Sequence, residues 1–136
     1  MSDIVKDIKD YFNKSKGFIK SNNYKLINLD IDYAVMEGSL DESSMNPYGI
    51  VHGGYLYGLL DTTAGYAAAT SGYKAYTLNS NINYLSQCKG NIIRAEAKAI
   101  KSGKHIRVYE VNLYDEDNLI CNGTVSYYVL DNKLEK

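Results

Sequence analysis

The stretch that decides the fold is Asn46–Gly54 (NPYGIVHGG), which runs directly into Tyr55–Asp61 (YLYGLLD). Pro47 fixes φ and Gly49 relaxes it, and this pairing predicts a turn. The residues that follow are rich in Ala, Leu and Gly and predict a long apolar helix whose one charged side chain is that of Asp61. The stretch therefore predicts a turn that delivers the chain into a central helix.

The start of that helix is a candidate anion site. The helix is predicted from Gly53 to Thr70, and Ser71-Gly72 is expected to stop it. No Ser, Thr, Asp or Asn stands just ahead of its first turn, so we expect its first backbone amides to lack a side-chain cap. Bare N–H groups beside glycine let another molecule approach and can bind a carboxylate, a phosphate or a developing oxyanion.

The acid of the helix lies in a groove of small residues. On a 3.6-residue period, Asp61 shares one stripe with Gly54, Gly58, Gly65 and Ala68. An isolated acid in such a groove is typical of an active site. The same stripe is also typical of a helix that packs tightly on a second helix, with the acid in a hydrogen bond. Both interpretations stay open on the residues alone.

Composition bounds the class of protein. The chain has 136 residues, 45% of them hydrophobic, and a net charge of −1, which predicts a single domain with a real core. We expect residues 1–20 to form an N-terminal helix and linker, and residues 131–136 to form a polar tail. The near-neutral charge argues against a nucleic-acid-binding surface. The longest apolar stretch is broken by Asp61 and several glycines, which argues against a membrane span.

The two cysteines, Cys88 and Cys121, have no metal-ligand spacing and no neighbouring histidine. We interpret them as reduced thiols of a cytoplasmic protein, and residues 1–20 carry no signal-peptide pattern. No His or Cys placement suggests a metal, so we expect the chain to work without a metal or another cofactor. We attribute the 14 tyrosines and the absence of tryptophan to compositional bias rather than to function.

The rest of the chain predicts one short helix and a set of strands. The helix extends from Ser2 to about Ser15, with Ser2 or Asp3 as its cap. Alternation of polar and apolar residues predicts the strands Tyr24–Asp32, Tyr33–Leu40, Lys74–Ser86, Asn91–Lys101, His105–Tyr114 and Leu119–Leu130. A polar loop, Asp41–Met45, leads into the opening stretch. This order predicts an α+β fold in which one antiparallel sheet wraps around one long helix. Such a sheet leaves a face or an edge open, so we expect a homodimer.

Helix geometry separates the two candidate features of the opening stretch. Gly53 and Asp61 are eight positions apart, which is about 12 Å along a helix at roughly 1.5 Å per residue. A catalytic base must come within ~3 Å of the water that it activates, so Asp61 cannot serve a carbonyl held at its own helix start. If both residues serve one reaction, they come from two chains, and two antiparallel helices packed along the glycine stripe would form two equivalent sites.

At these residues the chain resembles the hotdog-fold acyl-CoA thioesterases, most closely the PaaI-like branch of phenylacetic acid degradation. The similarity rests on Asn46–Gly54, on Leu60–Gly65 (LDTTAG), on Asn81–Leu85 (NINYL) and on Gly103-Lys104 followed by a strand. It runs in consistent order from about residue 41 to residue 130, which makes it specific to the superfamily and less specific to the substrate. The resemblance implies the hotdog fold, in dimers that often pair into tetramers.

The resemblance also implies roles for particular residues. The Gly53 amide would polarise the thioester carbonyl of an acyl-CoA, assisted by Asn46. Asp61 of the partner chain would activate water or attack directly, and Thr77 would help to orient the water. His52 and Gly54 would contact or position the substrate beside the oxyanion site. For His52 the alternative is a structural role, in which its ring satisfies backbone groups at the helix start.

The chain departs from this family at one place that bears on CoA binding. Related proteins commonly carry Arg-Pro where Ser86-Gln87 stand here, so the phosphate contact of that arginine is in doubt. Basic residues that could hold the CoA phosphates instead are Lys89, Lys101, Lys104 and Arg107. We select Lys104 and Arg107 as substrate-binding candidates; for each, a plain solvated surface residue is the alternative.

Two other functions fit part of the pattern. One is a non-catalytic hotdog protein that binds or senses acyl-CoA, although such a protein has little reason to keep an acid in the groove. The other is a hotdog dehydratase that acts on enoyl or hydroxyacyl thioesters. Dehydratases of this fold usually pair a histidine with an acid in another motif, which His52 and Asp61 do not reproduce.

Overall fold

One antiparallel sheet wraps around a single long helix in the computed structural model, which describes residues 3–14 and 16–134. The helices are α1 (Asp3–Asn13), α2 (Phe18–Ser21) and α3 (Gly53–Ala69), with a short 3-10 helix at Glu42–Ser44. The strands are β1 (Tyr24–Asp30), β2 (Tyr33–Ser39), β3 (Tyr73–Tyr84), β4 (Ile92–Ser102), β5 (Ile106–Asp115) and β6 (Asn118–Lys133). Their order across the sheet is β1-β2-β4-β5-β6-β3. The predicted α+β architecture is therefore confirmed.

Helix α3 forms the centre of the core. It packs against all six strands, and its Leu59, Leu60, Ala64, Ala67 and Ala68 side chains have no exposed surface. The sheet packs its inward-facing side chains against this helix, and every second position of β6 is buried over most of the strand. Small alanines on the helix let the sheet approach closely, and the branched residues of the strands fill the remaining space.

Several element boundaries differ from the prediction. The segment predicted as a loop before the opening stretch contains the 3-10 helix, because Asp41 caps it by accepting hydrogen bonds from the backbone N–H and the hydroxyl of Ser43. Strand β6 extends to Lys133, so the polar tail predicted from residue 131 begins later. Helix α2 was not predicted. The predicted helix limits Ser2 and Ser15 lie outside the described residues.

The sheet has two open edges, formed by β1 and β3. Strand β3 is the longer of the two and exposes large side chains: Tyr76 is 51% exposed, Leu78 48% and Tyr84 52%. A long edge strand with exposed apolar side chains is available for pairing with another strand. This is the open edge that the sequence predicts.

Membrane crossing by a helix finds no support in the fold. Within the described ranges 3–14 and 16–134, each helix is too short or too polar to span a bilayer.

Candidate functional site

Helix α3 starts with a side-chain cap that the sequence analysis did not foresee. The Gly54 backbone N–H donates to Nδ1 of His52 at 2.8 Å, so His52 is the N-cap residue. The prediction of an uncapped helix start is therefore wrong, because a histidine acceptor replaces the expected Ser, Thr, Asp or Asn. The cap gives His52 a structural role at the helix start, which was the alternative to a contact with substrate. Nδ1 accepts here, so the proton of a neutral ring sits on Nε2.

The cap leaves one amide of the first turn without an acceptor. The Tyr55 and Leu56 N–H groups donate to the His52 carbonyl at 3.0 and 3.3 Å, and the Gly54 N–H donates to the His52 ring. Among the described residues we find no acceptor for the Gly53 N–H. The Gly53 carbonyl accepts the Tyr84 hydroxyl at 2.9 Å. The amide that the sequence analysis selected is thus the one that remains available, while the Gly54 amide is occupied.

Asn46 builds the turn that leads into the helix. Its side-chain Oδ1 accepts the backbone N–H groups of Tyr48 at 2.9 Å and Ile50 at 3.1 Å. Its backbone N–H donates to the Ile50 carbonyl, and its carbonyl accepts the Gly49 N–H. Gly49 has a φ of +78°, which explains the glycine of the predicted turn. Asn46 therefore has its oxygen committed to the turn.

Asp61 is held by two hydroxyl groups of its own chain. Thr77 Oγ1, on β3, donates to Asp61 Oδ1 at 2.9 Å. The Tyr127 hydroxyl, on β6, lies 2.6 Å from the same Oδ1 and 2.7 Å from the Asp61 backbone oxygen. Among the described residues we find no donor to Oδ2. The structure thus brings together Asp61 and Thr77, and leaves one carboxylate oxygen open.

Tyr127 is the residue of this site that the sequence analysis missed. It is 5% exposed, and burial, followed by the charge of Asp61, raises the pKa of its hydroxyl far above the ordinary value. The available signal was its inward position in the alternation of β6, since a buried tyrosine needs a partner for its hydroxyl. The inward face of β6 packs against α3, and Asp61 is the only charged side chain of that helix.

The glycine stripe of α3 is covered by aromatic residues of the same chain. A Cβ on Gly58 would lie 2.6 Å from the Tyr24 hydroxyl and 2.9 Å from the Phe18 ring. A Cβ on Gly65 would lie 3.2 Å from the Tyr127 hydroxyl. The interpretation that this stripe receives a second helix is therefore wrong for Gly58. The glycines make room for tyrosine hydroxyls that bond to the helix, as Tyr24 does with the Tyr55 carbonyl at 2.6 Å.

The two basic candidates have different surroundings. Arg107 donates from Nη1 to Asp32 Oδ1 at 2.8 Å and from Nε to the Gly103 carbonyl at 3.2 Å, and its side chain is 18% exposed. Lys104 is exposed and lines a cavity of about 440 Å³, to which His105 and Arg107 also contribute. Arg107 is thus committed to an internal ion pair, whereas Lys104 faces solvent.

A second cavity, of about 410 Å³, lies next to Asp61. Its walls come from α1, α2, α3, β3 and β6 and include five aromatic side chains: Tyr11, Phe12, Tyr66, Tyr73 and Tyr127. Thr62 and Gly65, which follow Asp61 along α3, line the same space. A cavity of this size and lining can hold an apolar group. Residues 3–14 and 16–134 contain no group of three His, Cys, Asp or Glu side chains that could hold a metal ion.

Comparison with known proteins gives a consistent family. The family model named "Thioesterase superfamily" matches residues 48–122. A protein of Saccharolobus solfataricus that carries the provisional name of an esterase is 29% identical over 138 residues, covering 99% of each chain. The acyl-coenzyme A thioesterase PaaI of Escherichia coli is 26% identical over 98 residues, 71% of this chain and 70% of that protein.

Solved structures agree with these relatives. The structure of the Escherichia coli PaaI protein matches with a TM-score of 0.91 over 97% of each chain, at 19% identity. A hypothetical thioesterase of Streptococcus pneumoniae, solved with coenzyme A, matches with a TM-score of 0.81 at 27% identity, over 93% of this chain and 99% of that one. The fold expected from the resemblance, a sheet wrapped around one helix, is confirmed.

Proposed function

Because the chain belongs to the thioesterase superfamily, we propose that it is an acyl-CoA thioesterase, which hydrolyses a thioester to a free acid and CoA. The observation that carries the proposal is the state of Asp61. Two donors hold its Oδ1, and its Oδ2 has no donor among the described residues. A fixed carboxylate with one open oxygen is suited to take a proton from water or to attack a carbonyl.

The proposed site combines residues of two chains. The Gly53 amide polarises the thioester carbonyl and stabilises the oxyanion, with Asn46 nearby. Asp61 of the partner chain supplies the carboxylate, because about 12 Å separates the two residues along one helix at roughly 1.5 Å per residue. When water adds to the carbonyl carbon, the C–S bond breaks and the CoA thiolate leaves and is protonated. No metal or other cofactor enters this scheme.

The exposed edge of the sheet supports the homodimer in this proposal. Strand β3 holds Thr77 against Asp61 and Tyr84 against Gly53, so both halves of the site border the open edge. We propose that a second copy pairs at β3 and that further pairing gives a tetramer. The unpaired thiols Cys88 and Cys121 support the proposed cytoplasmic location.

The aromatic cavity beside Asp61 is the proposed compartment for the acyl group. Its volume of about 410 Å³ lies within the usual range for small-molecule sites. The lining supports an apolar acyl group, and the exposed Lys104 is the proposed contact for a CoA phosphate. The Escherichia coli relative, named an acyl-coenzyme A thioesterase, supports the same leaving group.

The experiment that tests the function is thiol release from a panel of acyl-CoAs, aromatic against short and long aliphatic chains. We expect wild-type turnover of at least one thioester, and Asp61→Asn should remove most of it while the fold and the oligomeric state stay intact. Near wild-type hydrolysis by Asp61→Asn would contradict the role of this carboxylate. Binding of acyl-CoA without thiol release would replace the proposal with a non-catalytic binding protein.

A second experiment tests the two-chain site. Leu78 on β3 and Ile27 on β1 are apolar, exposed by 48% and 45%, and lie on opposite edges of the sheet. Leu78→Lys should give a folded monomer that has lost most of its turnover, because a charge blocks pairing at that edge. Ile27→Lys is the matched control and should stay dimeric and active. A Leu78→Lys monomer with full activity would contradict the shared site.

A further inference from the structure

We propose that Tyr127 is a positioning residue of the reaction: with Thr77 it holds Asp61 Oδ1, and this leaves Oδ2 as the oxygen that reacts. The inference rests on the proposed thioesterase function and adds to it. It assigns a role to a residue outside the opening stretch, and it distinguishes the two oxygens of one carboxylate.

The two oxygens of the Asp61 carboxylate differ in their hydrogen bonds. Tyr127 and Thr77 lie 2.6 and 2.9 Å from Oδ1, so two donors converge on one oxygen. Hydrogen bonds to an ionised carboxylate are short and strong compared with those between neutral groups. Thr77 donates to Oδ1, and Tyr127 shares its one hydroxyl proton between Oδ1 and the Asp61 backbone oxygen, whereas Oδ2 keeps its lone pairs available. The unbonded oxygen is therefore the better base or nucleophile.

Tyr127 is held in place by its packing in the core. Its ring is buried on β6 and packs edge-on against Tyr109, with the ring centres 6.3 Å apart. Its hydroxyl also lies 2.7 Å from the Asp61 backbone oxygen. The same hydroxyl lies over Gly65, and a Cβ built on Gly65 would be 3.2 Å from it. The hydroxyl is thus placed by the core of the protein, while Thr77 lies on the exposed edge strand. Tyr127 fixes the carboxylate whether or not the edge is occupied.

The Tyr127 hydroxyl acts as a hydrogen-bond donor and not as the base. Burial and the nearby Asp61 charge both raise the pKa of the phenol above its ordinary value, so the hydroxyl keeps its proton at neutral pH. Tyr127 can therefore donate to Asp61 and cannot itself act as the base. The proton of the attacking water then goes to Asp61, through Oδ2.

The test uses Tyr127→Phe, which removes the hydroxyl and keeps the ring. Tyr24→Phe is a matched control, because Tyr24 is also buried and its hydroxyl also bonds to an α3 carbonyl, that of Tyr55, but touches no carboxylate. We expect Tyr127→Phe to lower kcat by about 10- to 100-fold, the size of effect that follows from a displaced catalytic group, with KM little changed. Tyr24→Phe should keep kcat.

A spectroscopic readout separates this inference from the proposed function. The carboxyl ¹³C resonance of Asp61 should move in Tyr127→Phe and stay in place in Tyr24→Phe, with or without turnover. If wild-type protein hydrolyses no thioester, the proposed function fails and the role of Tyr127 in it fails too. If wild type is active and the two variants share the same kcat and the same Asp61 resonance, the inference is overturned while the proposed function stands.

Discussion

Asp32→Asn is the change that tests most directly what Arg107 does. Asp32 Oδ1 accepts from Arg107 at 2.8 Å and from the Tyr109 hydroxyl at 2.6 Å, and Oδ2 accepts from Ser102 at 2.6 Å. Both side chains of the ion pair are largely buried, at 18% exposed for Arg107 and 16% for Asp32. Asp32 has a φ of +56°, which asparagine adopts readily, so this substitution removes the charge without straining the backbone.

The size of the effect follows from the burial of this pair. Loss of one partner of a buried ion pair costs about 3–5 kcal/mol. Because the pair keeps some exposure and asparagine retains part of the hydrogen bonding, we expect a loss of about 2–3 kcal/mol in the free energy of unfolding. At roughly 2.1 cal/mol/K of unfolding entropy per residue, this corresponds to a fall in Tm of about 7–10 °C.

The pH dependence of the same variant has a definite sign. Burial alone raises the pKa of Asp32, but the hydrogen bonds from Ser102 and Tyr109 and the charge of Arg107 outweigh it, so the pKa lies below its ordinary value. A lowered pKa in the folded state stabilises the fold above the unfolded-state pKa of about 4. The difference between wild type and Asp32→Asn should therefore be full at neutral pH and shrink as the pH falls below about 4.

Thermal unfolding with wild type, Asp32→Asn and a surface control is the assay. The control is Lys98→Ala, because Lys98 pairs with Glu96 at 3.6 Å, its side chain is 62% exposed, and exposed pairs contribute little. We expect the control to stay within about 0.5 kcal/mol of wild type. Equal stability of Asp32→Asn and wild type at pH 7 would refute the ion pair and return Arg107 to the list of CoA contacts.

Two further changes address the helix and the substrate. Gly58→Ala should destabilise the fold by about 1 kcal/mol in chemical denaturation, because the clash of a Cβ with the Tyr24 hydroxyl at 2.6 Å outweighs the better helix propensity of alanine. Lys98→Ala, at a side chain that is 62% exposed, is again the control and should stay within about 0.5 kcal/mol of wild type. Lys104→Ala should raise KM for an acyl-CoA several-fold with kcat unchanged, and an unchanged KM would remove this lysine from the proposed phosphate contacts.

The sequence predicted the architecture well because the fold depends on local patterns. The apolar helix after Asn46–Gly54 and the four strands β3 to β6 are each ten or more residues long, and all are present in the structure. The start of α3 was predicted only in part. A histidine cap was not expected, since histidine rarely serves as the N-cap residue, and the ring of His52 uses the Gly54 amide that we had assigned to substrate.

The contacts of Asp61 and Arg107 could not be predicted in the same way. Tyr127 lies 66 positions from Asp61, and Asp32 lies 75 positions from Arg107, so no spacing in the sequence indicates either contact. The contact of Tyr127 with Asp61 depends on the register in which Tyr127 pairs with Thr77, and that of Arg107 with Asp32 on the register in which Arg107 pairs with Ser102, which also bonds to Asp32. Tyrosines that we attributed to compositional bias bond to the central helix at several points, among them Tyr24, Tyr84 and Tyr127.

Strand β3 contacts both Gly53 and Asp61, the two residues that are too far apart on one helix to serve one carbonyl. Helix α3 and β3 run in opposite directions, so that Thr77 near the start of the strand bonds to Asp61 and Tyr84 at its end bonds to Gly53. In the proposed dimer, a second β3 that pairs antiparallel with this edge, with its Tyr84 opposite Thr77, would bring its own Gly53 toward the first chain's Asp61. The glycines of α3 serve contacts within one chain, so the two halves of the proposed site meet through the edge strand rather than through packed glycine stripes.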